Sequence, residues 1–178
     1  VHATGAGDYY NALMFKDGLP YSADGYFSDV ITDNAIGYLN SQLGSEVPFS
    51  LNVHFTAPHA PWGREQHPPE LYENYFTHCS FESVRWDPVH PAHLAKEGSS
   101  GSIGRDADER RELLSGYFSA ITAMDSNIGR LIGWLDSNGL RENTLIVFTS
   151  DNGMNMGHHG IWGKGNGTYP ANMFDTSV

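Results

Sequence analysis

The run Thr144-Leu-Ile-Val-Phe-Thr149 constrains this chain more than any other feature, because four consecutive apolar residues stand between its two threonines. Side chains along a strand alternate between its faces, so a strand built from this run is apolar on both and needs cover on both. Such a strand belongs inside a sheet flanked by helices. Upstream, Leu113, Leu114, Tyr117, Phe118, Ile121, Met124, Ile128, Leu131, Ile132 and Leu135 recur at helical spacing. Asp106 or Asp108 can start that helix, and Asn138-Gly139 is placed to end it. Earlier still, Phe49, Leu51, Val53 and Phe55 alternate with Ser50, Asn52 and His54 before Ala57-Pro58-His59-Ala60-Pro61 breaks the pattern. Strand, helix and strand in this order predict an α/β fold with a mainly parallel sheet flanked by helices. In such sheets ligands bind just beyond the carboxyl ends of the strands, which is where Pro58-His59-Ala60-Pro61 and Asp151-Asn152-Gly153 fall.

The remaining segments are read in the same way. Tyr9 to Gly18 has apolar residues on both parities and closes on Asp17-Gly18, as a short strand pair would. Ser28 or Asp29 can cap a helix carrying Val30, Ile31, Ala35, Ile36, Tyr38, Leu39 and Leu43, with Gly44 placed to end it. Residues 63–105 show little periodicity, repeated prolines, four histidines and a Gly/Ser run at 98–102, and read as a long irregular insertion or loop. The whole chain, 1–178, is long enough for one domain with a single buried core.

A formal charge of −11 is spread along the chain with its few Lys and Arg scattered, so no basic surface for nucleic acid is expected. No apolar run approaches the roughly 20 residues that span a bilayer, so no membrane partner is expected either. The single cysteine, Cys79, excludes an internal disulfide and a thiolate metal cage.

Chemistry concentrates near the C-terminal end. Asp151 and Asn152 place a carboxylate and an amide carbonyl side by side, which suits a hard cation such as Ca²⁺ and equally suits an Asx turn closed by Gly153. Within thirteen residues come His158, His159 and Lys164 among glycines. A cation, a lysine and imidazoles together would hold a tetrahedral oxyanion. His59, between Pro58 and Pro61, has the fixed placement of a general acid or oxyanion donor, and can also be a solvated loop histidine. His54 reads as a residue of the other strand face, Asp125 and Asp136 as surface residues. Histidines are plentiful, but none forms the helical His-x-x-x-His pair of a zinc site.

These blocks, in this order, resemble the formylglycine-dependent sulfatases of the alkaline phosphatase superfamily. The resemblance is carried by Gly25-Tyr-Phe-Ser-Asp-Val-Ile-Thr-Asp33, Phe55-Thr-Ala-Pro-His-Ala-Pro61, Ala123-Met-Asp-Ser-Asn-Ile-Gly129 and Phe148-Thr-Ser-Asp-Asn-Gly153. It continues through Gly157-His-His-Gly160, Trp162-Gly-Lys-Gly165 and Asn172-Met-Phe-Asp-Thr-Ser-Val178.

What the resemblance implies is a partial alkaline-phosphatase-like fold and sulfate-ester hydrolysis, with a carbohydrate sulfate as the expected substrate. It makes Asp151 and Asn152 ligands of Ca²⁺, Lys164 a contact to the sulfate, His59 the group beside the leaving-group oxygen, and His159 a substrate-pocket residue. It also implies a periplasmic or secreted protein. The family's nucleophile is a formylglycine hydrate that attacks sulfur, made from Cys or Ser in Cys/Ser-x-Pro-Ser-Arg, and that motif does not occur in these 178 residues. The chain therefore reads as an interior fragment with half an active site, inactive alone, weak for Ca²⁺ and prone to self-association. The alternatives are a phosphodiester or phosphonate monoester hydrolase of the same superfamily and a non-catalytic anion-binding module.

Overall fold

A computed structural model describes residues 7–88 and 106–164, apart from the His159 side chain. The chain divides into two compact units, residues 1–77 with 115–144, and residues 78–114 with 145–178.

The first unit opens with an antiparallel hairpin of β1 (Leu13–Lys16) and β2 (Leu19–Ser22), pairing Met14 with Tyr21 and Phe15 with Pro20. Asp17 and Gly18 both have positive φ, 52° and 81°, the two-residue turn whose twist matches a hairpin. A strand pair is therefore present, but Asp17-Gly18 joins its strands rather than closing it, and the second strand lies beyond the segment read from sequence. Ala12, Met14, Ala23 and Phe27 bury against one another beneath it, with Val30 and Ile31 packed alongside.

Helix α1 spans Phe27–Gln42 and ends at Leu43, with Gly44 in the left-handed region as the sequence implied. Its start differs from expectation. The N-cap is Tyr26, which makes no side-chain cap, and Ser28 lies buried inside the helix. The first helical N–H, of Phe27, is instead taken by the Tyr9 carbonyl at 2.7 Å. A tertiary partner has satisfied the donor that a capping side chain would otherwise serve.

Residues 63–105 are not irregular throughout, which corrects the sequence reading. Helix α2 runs Pro69–His78, with Pro69 in the first turn, where a missing N–H costs nothing, and Tyr72 buried. Tyr72 stacks on Phe76, and the Arg64 guanidinium lies over both rings and pairs with Glu73. Leu71, Tyr72, Tyr75 and Phe76 do recur at helical spacing, but the neighbouring prolines read as loop punctuation and hid it. Residues 89–105 lie outside the described part.

Helix α3, Ala107–Ser137, is the long helix expected. Asp106 caps it, accepting from the Glu109 N–H at 2.8 Å, and Gly139 at φ 67° closes it. Its 115–137 portion packs in the first unit beside α1. Asn127 donates to Asp29 at 2.7 Å, Arg130 pairs with Asp33, and Trp134 donates to Asn40 at 2.9 Å. Residue numbers advance together along these pairs, so the two helices run in the same direction, as helices flanking a parallel sheet do.

Neither expected core strand belongs to a ladder among the described residues. The 49–55 segment still keeps its alternation: Phe49, Leu51, Val53 and Phe55 are half-buried, while Ser50, Asn52 and His54 are exposed. At 145–148 the apolar side chains are exposed, Leu145 at 89% and Phe148 at 75%. A strand exists as such only when neighbours take its N–H and C=O groups, and the described ladders here are two antiparallel hairpins.

In the second unit β3 (Asn155–Met156) pairs with β4 (Trp162–Gly163). Arg110, buried on α3, donates to the carbonyls of Phe81 and Val84 and lies over Trp86, fixing the 81–86 loop.

Candidate functional site

His59 sits half-buried in the loop that follows the 49–55 segment, between the cis peptides Ala57–Pro58 and Ala60–Pro61. Its N–H donates to the Thr56 carbonyl at 2.9 Å, and its own carbonyl accepts from the Tyr9 hydroxyl at 2.7 Å. Its ring nitrogen Nδ1 lies 2.8 Å from the Ala60 carbonyl. A carbonyl only accepts, so Nδ1 carries a proton and Nε2 is the nitrogen left to face a substrate, an acceptor in the neutral ring and a donor in the charged one. Two residues on, Trp62 is buried and its Nε1 donates to the Pro58 carbonyl at 2.9 Å.

Tyr9 is 1% exposed, stacked on Tyr26 with centroids 5.4 Å apart, and 4.8 Å from the His67 ring. Burial pushes the hydroxyls of Tyr9 and Tyr26 well above the usual range, so both stay protonated donors. His67 is likewise 1% exposed, with Nδ1 3.3 Å from the Tyr26 hydroxyl. Among the described residues its Nε2 has no hydrogen-bond partner, while the Pro61 carbonyl and Glu65 favour the charged ring. Burial outweighs that and pushes His67 down to about 4, leaving it neutral. Sequence reasoning passed over His67. Tyr26 is 41 residues away in the chain, and local sequence carries no sign of that pairing.

The other candidates lie in the second unit. Asp151 and Asn152 are exposed on a turn closed by a serine hydroxyl, not as an Asx turn: Ser150 Oγ donates to the Asn152 carbonyl at 2.7 Å. Gly157, at φ 106°, lets the chain pass under the Arg85 carbonyl, where a Cβ would stand 2.9 Å from that oxygen. Its N–H donates to Ile161 at 2.9 Å, closing the bend between β3 and β4 over the short turn His158–Gly160. Lys164 follows β4 directly and is exposed. The His159 side chain and the block Asn172–Val178 lie outside the described residues.

As a donor set, Asp151 and Asn152 offer hard oxygens on an exposed turn and fit Ca²⁺ better than zinc. Among the described residues no group of three or more His, Cys, Asp or Glu is gathered as a metal cage. His54 and Asp125 are exposed, as their sequence context suggested. No helix among the described residues is long and apolar enough to cross a membrane.

Comparison with known proteins places these features. Residues 3–175 match the family model for sulfatases. The chain is 26% identical to the N-acetylglucosamine-6-O-sulfatase of Bacteroides thetaiotaomicron over 89% of this chain and 38% of that protein. With the ulvan-active sulfatase of Formosa agariphila it shares 34% identity over 76% of this chain and 23% of that protein. The chain thus spans well under half the length of these relatives. A solved structure, of a protein in complex with its substrate D-glucosamine-2-N,6-O-disulfate, superposes with a TM-score of 0.66. That match covers 88% of this chain and 43% of the other at 23% identity, and speaks for the fold. Across nearly its whole length, then, this chain belongs to the sulfatase family and has part of that family's alkaline-phosphatase-like α/β fold.

Proposed function

We propose that the protein hydrolyses a sulfate ester carried on a carbohydrate, and that this chain supplies the leaving-group and sulfate-binding side of the reaction. Family membership supports the reaction class. The names of its relatives, one acting on N-acetylglucosamine 6-O-sulfate and one active on ulvan, support a sulfated sugar.

The observation that carries the mechanism is the anchoring of the His59 ring through Nδ1 to the Ala60 carbonyl. Cleaving the S–O bond leaves negative charge on the sugar oxygen, and a poor leaving group needs a proton there. With Nδ1 committed, the charged His59 ring donates that proton from Nε2. The exposed ammonium of Lys164 meets the sulfate oxygens, where charge grows as sulfur is attacked. Asp151 and Asn152 would hold Ca²⁺, whose charge, when bound, draws the sulfate oxygens in and offsets their repulsion of a nucleophile. His159 is a further substrate-binding residue in this reading. The attacking group, a formylglycine in this family, lies outside these 178 residues, so the chain by itself does not turn over substrate.

Three further parts belong to this reading. Two side-chain ligands make Ca²⁺ binding by the isolated chain weak. The exposed apolar run 145–148 makes the isolated chain self-associate through that edge. The compartment is periplasmic or secreted.

Turnover of sulfated sugars by the full-length protein tests the roles. Lys164→Ala and Asp151→Ala each lower kcat by about 100-fold or more; near-normal rates in both refute the assignment. A preference for phosphate diesters or phosphonates over sulfate esters would establish the alternative reading.

A further inference from the structure

The His59 loop is fixed from residues far from it in sequence. We propose that Tyr9 and Gly116 are positioning residues for His59: the Tyr9 hydroxyl sets its backbone, and the bare Cα of Gly116 lets α3 seat the Trp62 end of the loop. The functional meaning of this proposal rests on the role given to His59 above.

Every polar atom of Tyr9 is engaged. Its N–H donates to Gln66 Oε1 at 2.8 Å, its carbonyl accepts from Phe27 at 2.7 Å, and its hydroxyl donates to the His59 carbonyl at 2.7 Å. Gln66 is tied in turn to Asp8 at 2.9 Å. With Tyr26 stacked on one side and His67 on another, the ring cannot turn away without opening the core. The hydroxyl therefore reaches His59 from a rigid base.

The second anchor is one of backbone contact. A Cβ built on Gly116 would lie 2.0 Å from the Trp62 carbonyl oxygen and 2.8 Å from its Cα, which no side chain can tolerate. Gly129 and Gly133 on the same helix have nothing within 4 Å. Helix propensity disfavours glycine in all three places, so Gly116 is needed there for the approach. Trp62 then packs edge-on to Tyr117, centroids 5.9 Å apart, and returns a hydrogen bond to the Pro58 carbonyl. The loop is held at both ends and in the middle, and His59 has little freedom to move.

The test reads both the ring and the reaction. Long-range ¹⁵N–¹H spectra report which nitrogen of neutral His59 holds the proton, and the full-length protein reports kcat and KM. Wild type should show the Nδ1–H form. Tyr9→Phe, which keeps the stacked ring, should mix the two tautomers and lower kcat about 10-fold with KM nearly unchanged; displacing a reacting group by about 1 Å costs up to about 100-fold. Gly116→Ala should do the same more severely wherever it folds. Tyr21→Phe, whose hydroxyl bonds Met14 sulfur at 3.3 Å, should change neither readout. Wild-type tautomer and wild-type kcat in Tyr9→Phe, alongside a large loss in His59→Ala, would overturn the positioning role and leave the reading of His59 standing. An undiminished kcat in His59→Ala would remove that reading and this proposal with it.

Discussion

The loop carrying His59 and the turn carrying Asp151 each follow an extended apolar segment, yet they are held in opposite ways. The segment before His59 alternates and half-buries its apolar side chains, and the loop beyond it is bonded at Thr56, Pro58, His59 and Ala60 by partners within its own unit. The segment before Asp151 is apolar on both faces and exposed, and its turn is closed by one serine hydroxyl. One side of the chemistry is built by residues the chain contains. The other follows an extended segment whose apolar side chains still call for cover.

That contrast predicts where substitutions will be felt as stability. Gly116→Ala forces a methyl into the Trp62 carbonyl, and should cost about 3 kcal/mol in a denaturant melt. Gly133→Ala, further along the same helix and in open space, should stabilise by roughly 0.5–1 kcal/mol. Equal effects at the two glycines would break the idea of a tight loop.

Next in size is an acid effect from His67. Its pKa is about 4 in the folded protein against 6.5 unfolded, so below 6.5 the unfolded chain takes up a proton that the folded one does not. Stability should therefore be full above pH 6.5 and fall by roughly 2 kcal/mol as pH drops toward 4. In His67→Gln that slope should flatten over the same window, as thermal melts at stepped pH would show.

On the exposed side the same measurements should barely move. Asp151→Ala should change stability by less than about 0.5 kcal/mol, even where the full-length variant shows the proposed loss of kcat. Val147→Lys should be similarly neutral in a melt while reducing self-association of the isolated chain in sedimentation, because it charges an exposed apolar edge. A large loss of stability from either would mean that this segment is packed in solution.

The same difference governs what could be read from sequence. Helix α3, its Asp106 cap and its Gly139 stop were legible because periodicity and capping act over a few residues. The turn at Asp17-Gly18 was legible for the same reason. The start of α1 was not, because Tyr9 supplies a carbonyl from outside the helix. Helix α2 was hidden by prolines that stop a helix in most settings but also open one. Of the candidate site, His59, Asp151, Asn152 and Lys164 were singled out by the family blocks in which they stand. What holds His59 did not stand out: Tyr9 reaches it, His67 packs on Tyr9 and Gly116 lies against Trp62 only through the fold, and a glycine within a helix gives no local sign that a backbone carbonyl lies against it.

The most direct test of the account is the dependence of His59→Ala on the leaving group in the full-length protein. If Nε2 delivers the proton to the departing oxygen, kcat on a sugar sulfate should fall by about 10²–10⁴-fold, while 4-nitrophenyl sulfate, whose phenolate leaves without a proton, should be hydrolysed nearly as fast as by wild type. Equal losses on the two esters would contradict that role.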